Sequence, residues 1–153
     1  MIISINMLEL WVRNLKGKKL VVTNGCFDII HAGHVEYLEA AKALGDVLLI
    51  GLNSDSSVQR LKGPNRPFNR QEDRAVVLLG LKSVDAVCIF DESTATRFLT
   101  VARPAIWVKG GDYTLASINR EELEAAGGAI TILPMSPGKS TTSLVNRILQ
   151  VGH

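Results

Sequence analysis

Five short runs of apolar, often β-branched residues constrain what this chain can become: 19–23, 46–52, 85–90, 105–109 and 129–133. Each has the length and composition of a buried strand. Stretches with helical spacing separate them. Val35, Leu38, Ala41 and Leu44 recur about one turn apart, and Gly45 stops the pattern. Asn69 with Glu72 looks like a helix start, followed by Val76, Val77, Leu79 and Leu81. A short helix begins at Ser93 or Thr94 and reaches about Ala102, ahead of Pro104. Another covers 118–126 and ends at Gly127-Gly128, and a last one buries Leu144, Val145, Ile148 and Leu149. A strand, a helix and a strand at this spacing call for parallel pairing. Carried through the chain, the alternation predicts an α/β fold, a doubly wound five-stranded parallel sheet in a single domain.

Two segments stand apart from this rhythm. Residues 1–17 read as a leader helix, with Asn6 and Glu9 at its start and an apolar face of Met7, Leu8, Trp11, Val12 and Leu15. That face either packs on the domain or makes a homodimer contact. Residues 53–67 have a polar start, two prolines and Gly63, and read as one long loop with a helical turn near Ser57.

The chemistry concentrates in Thr23-Asn24-Gly25-Cys26-Phe27-Asp28-Ile29-Ile30-His31-Ala32-Gly33-His34, a strand-to-helix turn holding two of the three histidines. A helix N-terminus exposes unpaired N–H groups and partial positive charge, so it attracts phosphate. Gly25 and Gly33 let a ligand approach the backbone closely. His31 and His34 are three apart and can face the same way on the first turn. Together these suit a polyphosphate. Two other readings stay open: the histidines only cap the helix, or they supply two metal ligands, for which no third is evident.

Three further segments sit where ligands bind in such sheets. Lys62, beside Gly63, is either a phosphate ligand or a solvated lysine. Lys109-Gly110-Gly111-Asp112 follows a strand, beyond whose carboxyl end ligands bind in open α/β sheets; the alternative is a plain turn. Ser140, Thr141 and Thr142 open a helix and offer a second anion site. Gly138-Lys139-Ser140-Thr141 is not a P-loop, because Leu133 stands where the first glycine belongs. Arg74 lies early in its helix, where a cation opposes the dipole. Either an outside anion compensates it, or it is a surface arginine with no task.

Composition sets limits. At 153 residues one domain is expected. Seventeen basic against fifteen acidic residues leave a net charge of +2, too mild for a nucleic-acid partner. Cys26 and Cys88 have no zinc-ligand or CxxC spacing, no signal peptide precedes them, and no apolar run reaches membrane length. A cytoplasmic protein with no membrane partner is expected.

Gly25-x-Phe27-Asp28-x-x-His31-x-Gly33-His34 resembles the signature of the cytidylyltransferase-type nucleotidyltransferases. From about Lys18 onward the chain is similar to the adenylyltransferase domain of heptose-phosphate enzymes, which make ADP-heptose for surface sugars. The resemblance implies a Rossmann-like nucleotidyltransferase domain over 18–153. It implies transfer of AMP from ATP to a sugar 1-phosphate, with Mg²⁺ carried by the ATP and no metal held by the protein. His31, His34 and Lys62 would be catalytic. Gly25, Cys26, Phe27, Gly33, Lys109, Gly110, Gly111, Asp112, Ser140, Thr141 and Thr142 would bind the nucleotide. Asp28, Asn53, Asp55 and Arg74 would face the acceptor. Bifunctional relatives carry a sugar kinase ahead of this domain, so a stand-alone form is expected, and self-association follows from the same likeness. Two alternatives are a non-catalytic nucleotide-binding module and a glycerol-3-phosphate cytidylyltransferase. The second is disfavoured because Met135 stands where those relatives carry an arginine.

Overall fold

The structure, a computed structural model, describes residues 1–111, 113–134 and 138–152. Six strands form one parallel sheet: β1 (Ile2–Ile3), β2 (Leu20–Gly25), β3 (Val47–Asn53), β4 (Ala86–Phe90), β5 (Ile106–Gly110) and β6 (Ala129–Leu133). Their spatial order is β1-β4-β3-β2-β5-β6. The expected count of five is corrected to six. The added edge strand has two residues, too few for a period-2 pattern to show. Its register is set from outside, by Val87 N–H donating to the Met1 carbonyl at 3.0 Å.

Alternation within the strands divides the core. Leu20, Val22, Val47 and Leu49 point to one face, and Val21, Leu48, Ile50 and Leu52 to the other. The first face is covered by α1 (Ile5–Arg13), α5 (Thr96–Ala102) and α6 (Arg120–Ala126), through Leu8, Phe98, Leu99 and Ala126. The second is covered by α2 (Ala32–Lys42) and α4 (Gln71–Leu79), through Tyr37, Leu38, Ala41, Ala75 and Leu78. Each fully buried Leu or Val contributes roughly 1.5–3 kcal/mol relative to an exposed position. Gly51 in β3 admits the Phe98 ring, since a Cβ there would lie 2.5 Å from Phe98 Cε1.

Other local expectations change. Residues 55–62 are not loop but a helix, α3 (Asp55–Lys62), capped by Ser54 Oγ, which accepts from Ser57 N–H at 3.2 Å. The signals were present: a serine cap, an acidic first turn, basic residues in the last turn and Gly63 at φ 101°. The leader helix starts at Ser4 rather than Asn6, and α4 at Arg70 rather than Asn69. Asn69 instead donates its side-chain amide to the Asp28 carbonyl at 2.6 Å. On the last helix, α7 (Thr141–Val151), Ile148 and Leu149 are exposed at 59% and 56% rather than buried. No helix among the described residues is long and apolar enough to cross a membrane.

The chain leaves β2 toward β3 and β4, then returns to β5 on β2's other side. The carboxyl ends of β2 and β5 therefore flank the switch point, where open α/β sheets leave a crevice.

Candidate active site

A cavity of about 470 Å³ occupies that crevice. Asn24 and Gly25 line it from β2, Asn53 from β3, Phe90 from β4, and Lys109 and Gly110 from β5.

The β2–α2 turn supplies its phosphate end. His31 is the N-cap of α2, with its Nδ1 accepting from Gly33 N–H at 3.1 Å. His34 reaches back, its Nδ1 accepting from His31 N–H at 3.3 Å. With both Nδ1 atoms acting as acceptors, the neutral rings carry their protons on Nε2. The rings lie 4.0 Å apart. Burial, then His31 and then Lys62, push His34 down to about pKa 4. Burial and Lys139 lower His31. At neutral pH both are uncharged N–H donors. His34 lines the cavity; His31 Nε2 is buried and has no partner among the described residues. The cap therefore uses one edge of each ring and leaves Nε2, on the other edge, out of it. Among the described residues no third metal-ligating side chain joins the pair. Gly33 is needed because a Cβ there would meet His31 Cε1 at 2.9 Å.

The start of α7 is stitched to this turn. Thr141 Oγ1 donates to the Ile29 carbonyl at 3.2 Å, and Lys139 pairs with Glu36 on α2 at 2.9 Å. Two helix N-termini thus stand side by side. Ser140 Oγ is spent as the cap, accepting from Ser143 N–H at 3.0 Å. Thr141 lines the cavity and Thr142 is exposed. Lys62, in the last turn of α3, lines the cavity with no hydrogen bond or ion pair among the described residues.

The four residues expected on the acceptor side are mostly committed to the wall. Arg74 is 1% exposed. Its Nε donates to the Asn69 carbonyl at 3.0 Å. Its Nη1 donates to the Cys26 and Asn53 carbonyls at 2.7 and 2.8 Å, and Nη2 pairs with Asp55 at 2.8 Å. The idea of a compensating outside anion is corrected: the partner is Asp55. Asp28, buried, accepts the Phe68 and Asn69 amides and pairs with Arg66 at 3.4 Å. Asn53 donates its amide to Ser57 Oγ at 3.0 Å. Asp28 and Asn53 line the cavity, but Asp55 and Arg74 do not.

Of the expected nucleotide residues, Gly25, Cys26, Phe27, Lys109, Gly110 and Thr141 line the cavity. Phe27 takes φ 46°, a strained value for an aromatic residue, and lays its ring over Gly25 and beside His34 at 5.6 Å. Burial raises the Cys26 thiol pKa, so it is a poor nucleophile at neutral pH. Gly33, Gly111, Ser140 and Thr142 stand outside the cavity wall. Asp112 and Met135 lie outside the described residues.

Tyr37 and Glu122 are among the lining residues that had no sequence expectation as site residues. Tyr37 donates its hydroxyl to the Val108 carbonyl at 3.2 Å and receives Thr23 Oγ1 at 2.7 Å; burial pushes it up to about pKa 12. Tyr113 and Trp107 carry Lys109 Nζ over their rings at 4.4 and 5.3 Å; of the two, Tyr113 lines the cavity. Glu122, on α6, faces Lys109. Burial lowers the Lys109 pKa and raises that of Glu122, while each opposes the other's shift by charge attraction. One signal could have found Tyr37: it lies one turn after His34, on the same helix face.

The chain is similar to known proteins in sequence and in fold. The family model described as cytidylyltransferase-like matches residues 22–142. The chain is 48% identical over 136 residues to the bifunctional protein HldE of Trichlorobacter lovleyi. It is 50% identical over 133 residues to that of Wolinella succinogenes. These matches cover 88% and 87% of the chain but only 28% and 27% of those relatives. Among solved structures, a lipopolysaccharide core biosynthesis protein from Thermoplasma volcanium aligns with TM-score 0.64 and 27% identity, over 78% of this chain and 98% of that one. The pantoate-beta-alanine ligase of Francisella tularensis shares the fold, with TM-score 0.60 and 13% identity, over 93% of this chain and 69% of that one.

Proposed function

This chain belongs to the cytidylyltransferase-like family, and we propose that it transfers AMP from ATP to a sugar 1-phosphate, releasing pyrophosphate. The observation that carries the reading is the convergence of His34 Nε2, Lys62 and two adjacent helix N-termini on one cavity. Each favours phosphate oxygens, and none removes a proton from a substrate. An acceptor phosphate is already ionised at neutral pH, so it needs no base. Its oxygen attacks the α-phosphorus, the bond to the bridging oxygen breaks, and the electron pair leaves on pyrophosphate. Catalysis is then positioning and charge stabilisation.

In this reading the uncharged imidazoles donate to the bridging and leaving oxygens, and Lys62 contacts the α- or β-phosphate. The α7 start and the Lys109-Gly110-Gly111 segment hold the nucleotide. The ATP arrives as its Mg²⁺ complex, the cation held largely by phosphates and water. Likeness to the HldE proteins and to the lipopolysaccharide core protein supports a surface-sugar product. The acceptor in this reading is D-glycero-β-D-manno-heptose 1-phosphate, and the product ADP-heptose, made in the cytoplasm. Leu8, Trp11, Val12 and Leu15 of the leader-helix face pack on the core, so self-association in this reading uses exposed Met1, Ile2, Met7 and Leu10 along the β1–α1 edge. A monomeric mass by light scattering at micromolar protein removes that last point.

The test is a panel of ATP and CTP against sugar 1-phosphates and glycerol 3-phosphate, scored by pyrophosphate release. Fastest turnover with ATP and a heptose 1-phosphate is expected. Faster turnover with CTP and glycerol 3-phosphate overturns both substrates.

A further inference from the structure

Two carboxylates line the cavity among the described residues, Asp28 and Glu122. Asp28 is occupied by two backbone amides and Arg66. Glu122 differs. Its backbone is fixed, with N–H donating to Asn119 Oδ1 at 3.1 Å. Its half-buried side chain lines the cavity close to Lys109 and Ala95, and its carboxylate makes no ion pair among the described residues, which leaves it acceptor capacity.

Its position says what it can take. The imidazoles enter from α2, on the sheet face covered by α2 and α4, whereas Glu122 enters from α6, on the opposite face. A carboxylate beside a triphosphate would repel it, so the phosphate end is the wrong partner. A purine needs an open flat slot, but Lys109 Nζ already lies over the Tyr113 ring. The remaining neighbours in the wall, Ser93 and Ala95, are small. A carboxylate held among an ammonium, a backbone amide and small side chains suits a molecule that presents several hydroxyl donors.

We propose that Glu122 is a specificity-determining residue for the acceptor, its carboxylate accepting hydrogen bonds from sugar hydroxyls. This rests on the sugar 1-phosphate reading above and deepens it. Lys109 lines the same cavity from the end of β5. Its charge favours the ionised form of Glu122, and Glu122 favours the charged ammonium, each against the larger effect of burial.

The experiment uses the wild-type protein, Glu122→Gln and Glu122→Ala. Pyrophosphate release is followed with ATP and a sugar 1-phosphate, and with a deoxy analogue of that acceptor. KM for the hydroxylated acceptor should rise about ten- to a hundredfold in both variants, with KM for ATP within about twofold. Preference for the hydroxylated over the deoxy acceptor should collapse in Glu122→Gln, which keeps the shape and removes the charge. A melting temperature near wild type accompanies that result. A rise in KM for ATP with the acceptor KM unchanged moves Glu122 to the adenosine and overturns the proposal. Unchanged constants overturn it as well, while leaving the wild-type reaction standing. A wild-type protein that releases no pyrophosphate with any sugar 1-phosphate fails at the level of the function itself, and that outcome is distinct from the other two.

Discussion

His31 and His34 cap one helix reciprocally: His31 Nδ1 accepts the Gly33 amide, and His34 Nδ1 accepts the His31 amide. The same two bonds leave both Nε2 protons out of the cap, and in the proposed reaction these donate to phosphate oxygens. Replacing His31 therefore has two separable effects. His31→Ala should lose about 1 kcal/mol of stability with the cap and on the order of a hundred- to a thousandfold in kcat. His31→Asn restores a cap acceptor without the Nε2 donor. It should recover the melting temperature but not turnover, and KM for ATP should move little. Near-normal kcat in the Asn variant leaves the catalytic assignment without support. Because both imidazoles serve one developing charge, the double variant with His34→Ala should lose less than the product of the singles.

Stability should depend on pH through His34. Its pKa falls from the ordinary 6.5 to about 4 on folding. Between those values the unfolded chain binds a proton that the folded one refuses, so stability falls as pH drops through that window. His31, shifted in the same direction, adds to the effect. Denaturant melts of wild type and His34→Asn at several pH values from 7 to 4 check this. The wild type should have the steeper decline, and parallel curves contradict the assignment.

Arg74 acts as a brace between the ends of β2 and β3, the loop before α4, and α3. Arg74→Ala orphans the buried Cys26 and Asn53 carbonyls and should cost on the order of 3 kcal/mol in urea unfolding. A stability within about 0.5 kcal/mol of wild type, coupled with a large rise in acceptor KM, would instead make it a ligand arginine.

Gly51→Ala should destabilise by roughly 1–3 kcal/mol, because the new methyl meets the Phe98 ring. Adding Phe98→Leu should return part of that loss in a thermal melt. An additive double variant rules out the contact as the cause.

The short range carried much of this molecule. Parallel α/β architecture follows from runs such as 46–52 set against the helical spacing of 35–44, because the burial pattern of each element is written in its own residues. The histidine turn was legible for the same reason, since its cap, its glycine and both rings lie within four residues. What stayed hidden depended on partners far along the chain. Asp28 meets Phe68 and Asn69 forty residues on, and Arg74 meets Cys26 and Asp55. Charge alone cannot tell a braced side chain from one awaiting a ligand. Ile2–Ile3 becomes a strand only because β4 offers an edge. Glu122 and Lys109 sit 13 positions apart on different elements and reach the same cavity through the crossover from β5 to α6. Periodicity determined the buried positions of the strands, though not those of the last helix, where Ile148 and Leu149 are exposed. Only the assembled sheet decided which polar groups were already satisfied and which still face the cavity, because hydrogen-bond satisfaction is a property of the assembled neighbourhood and not of the segment.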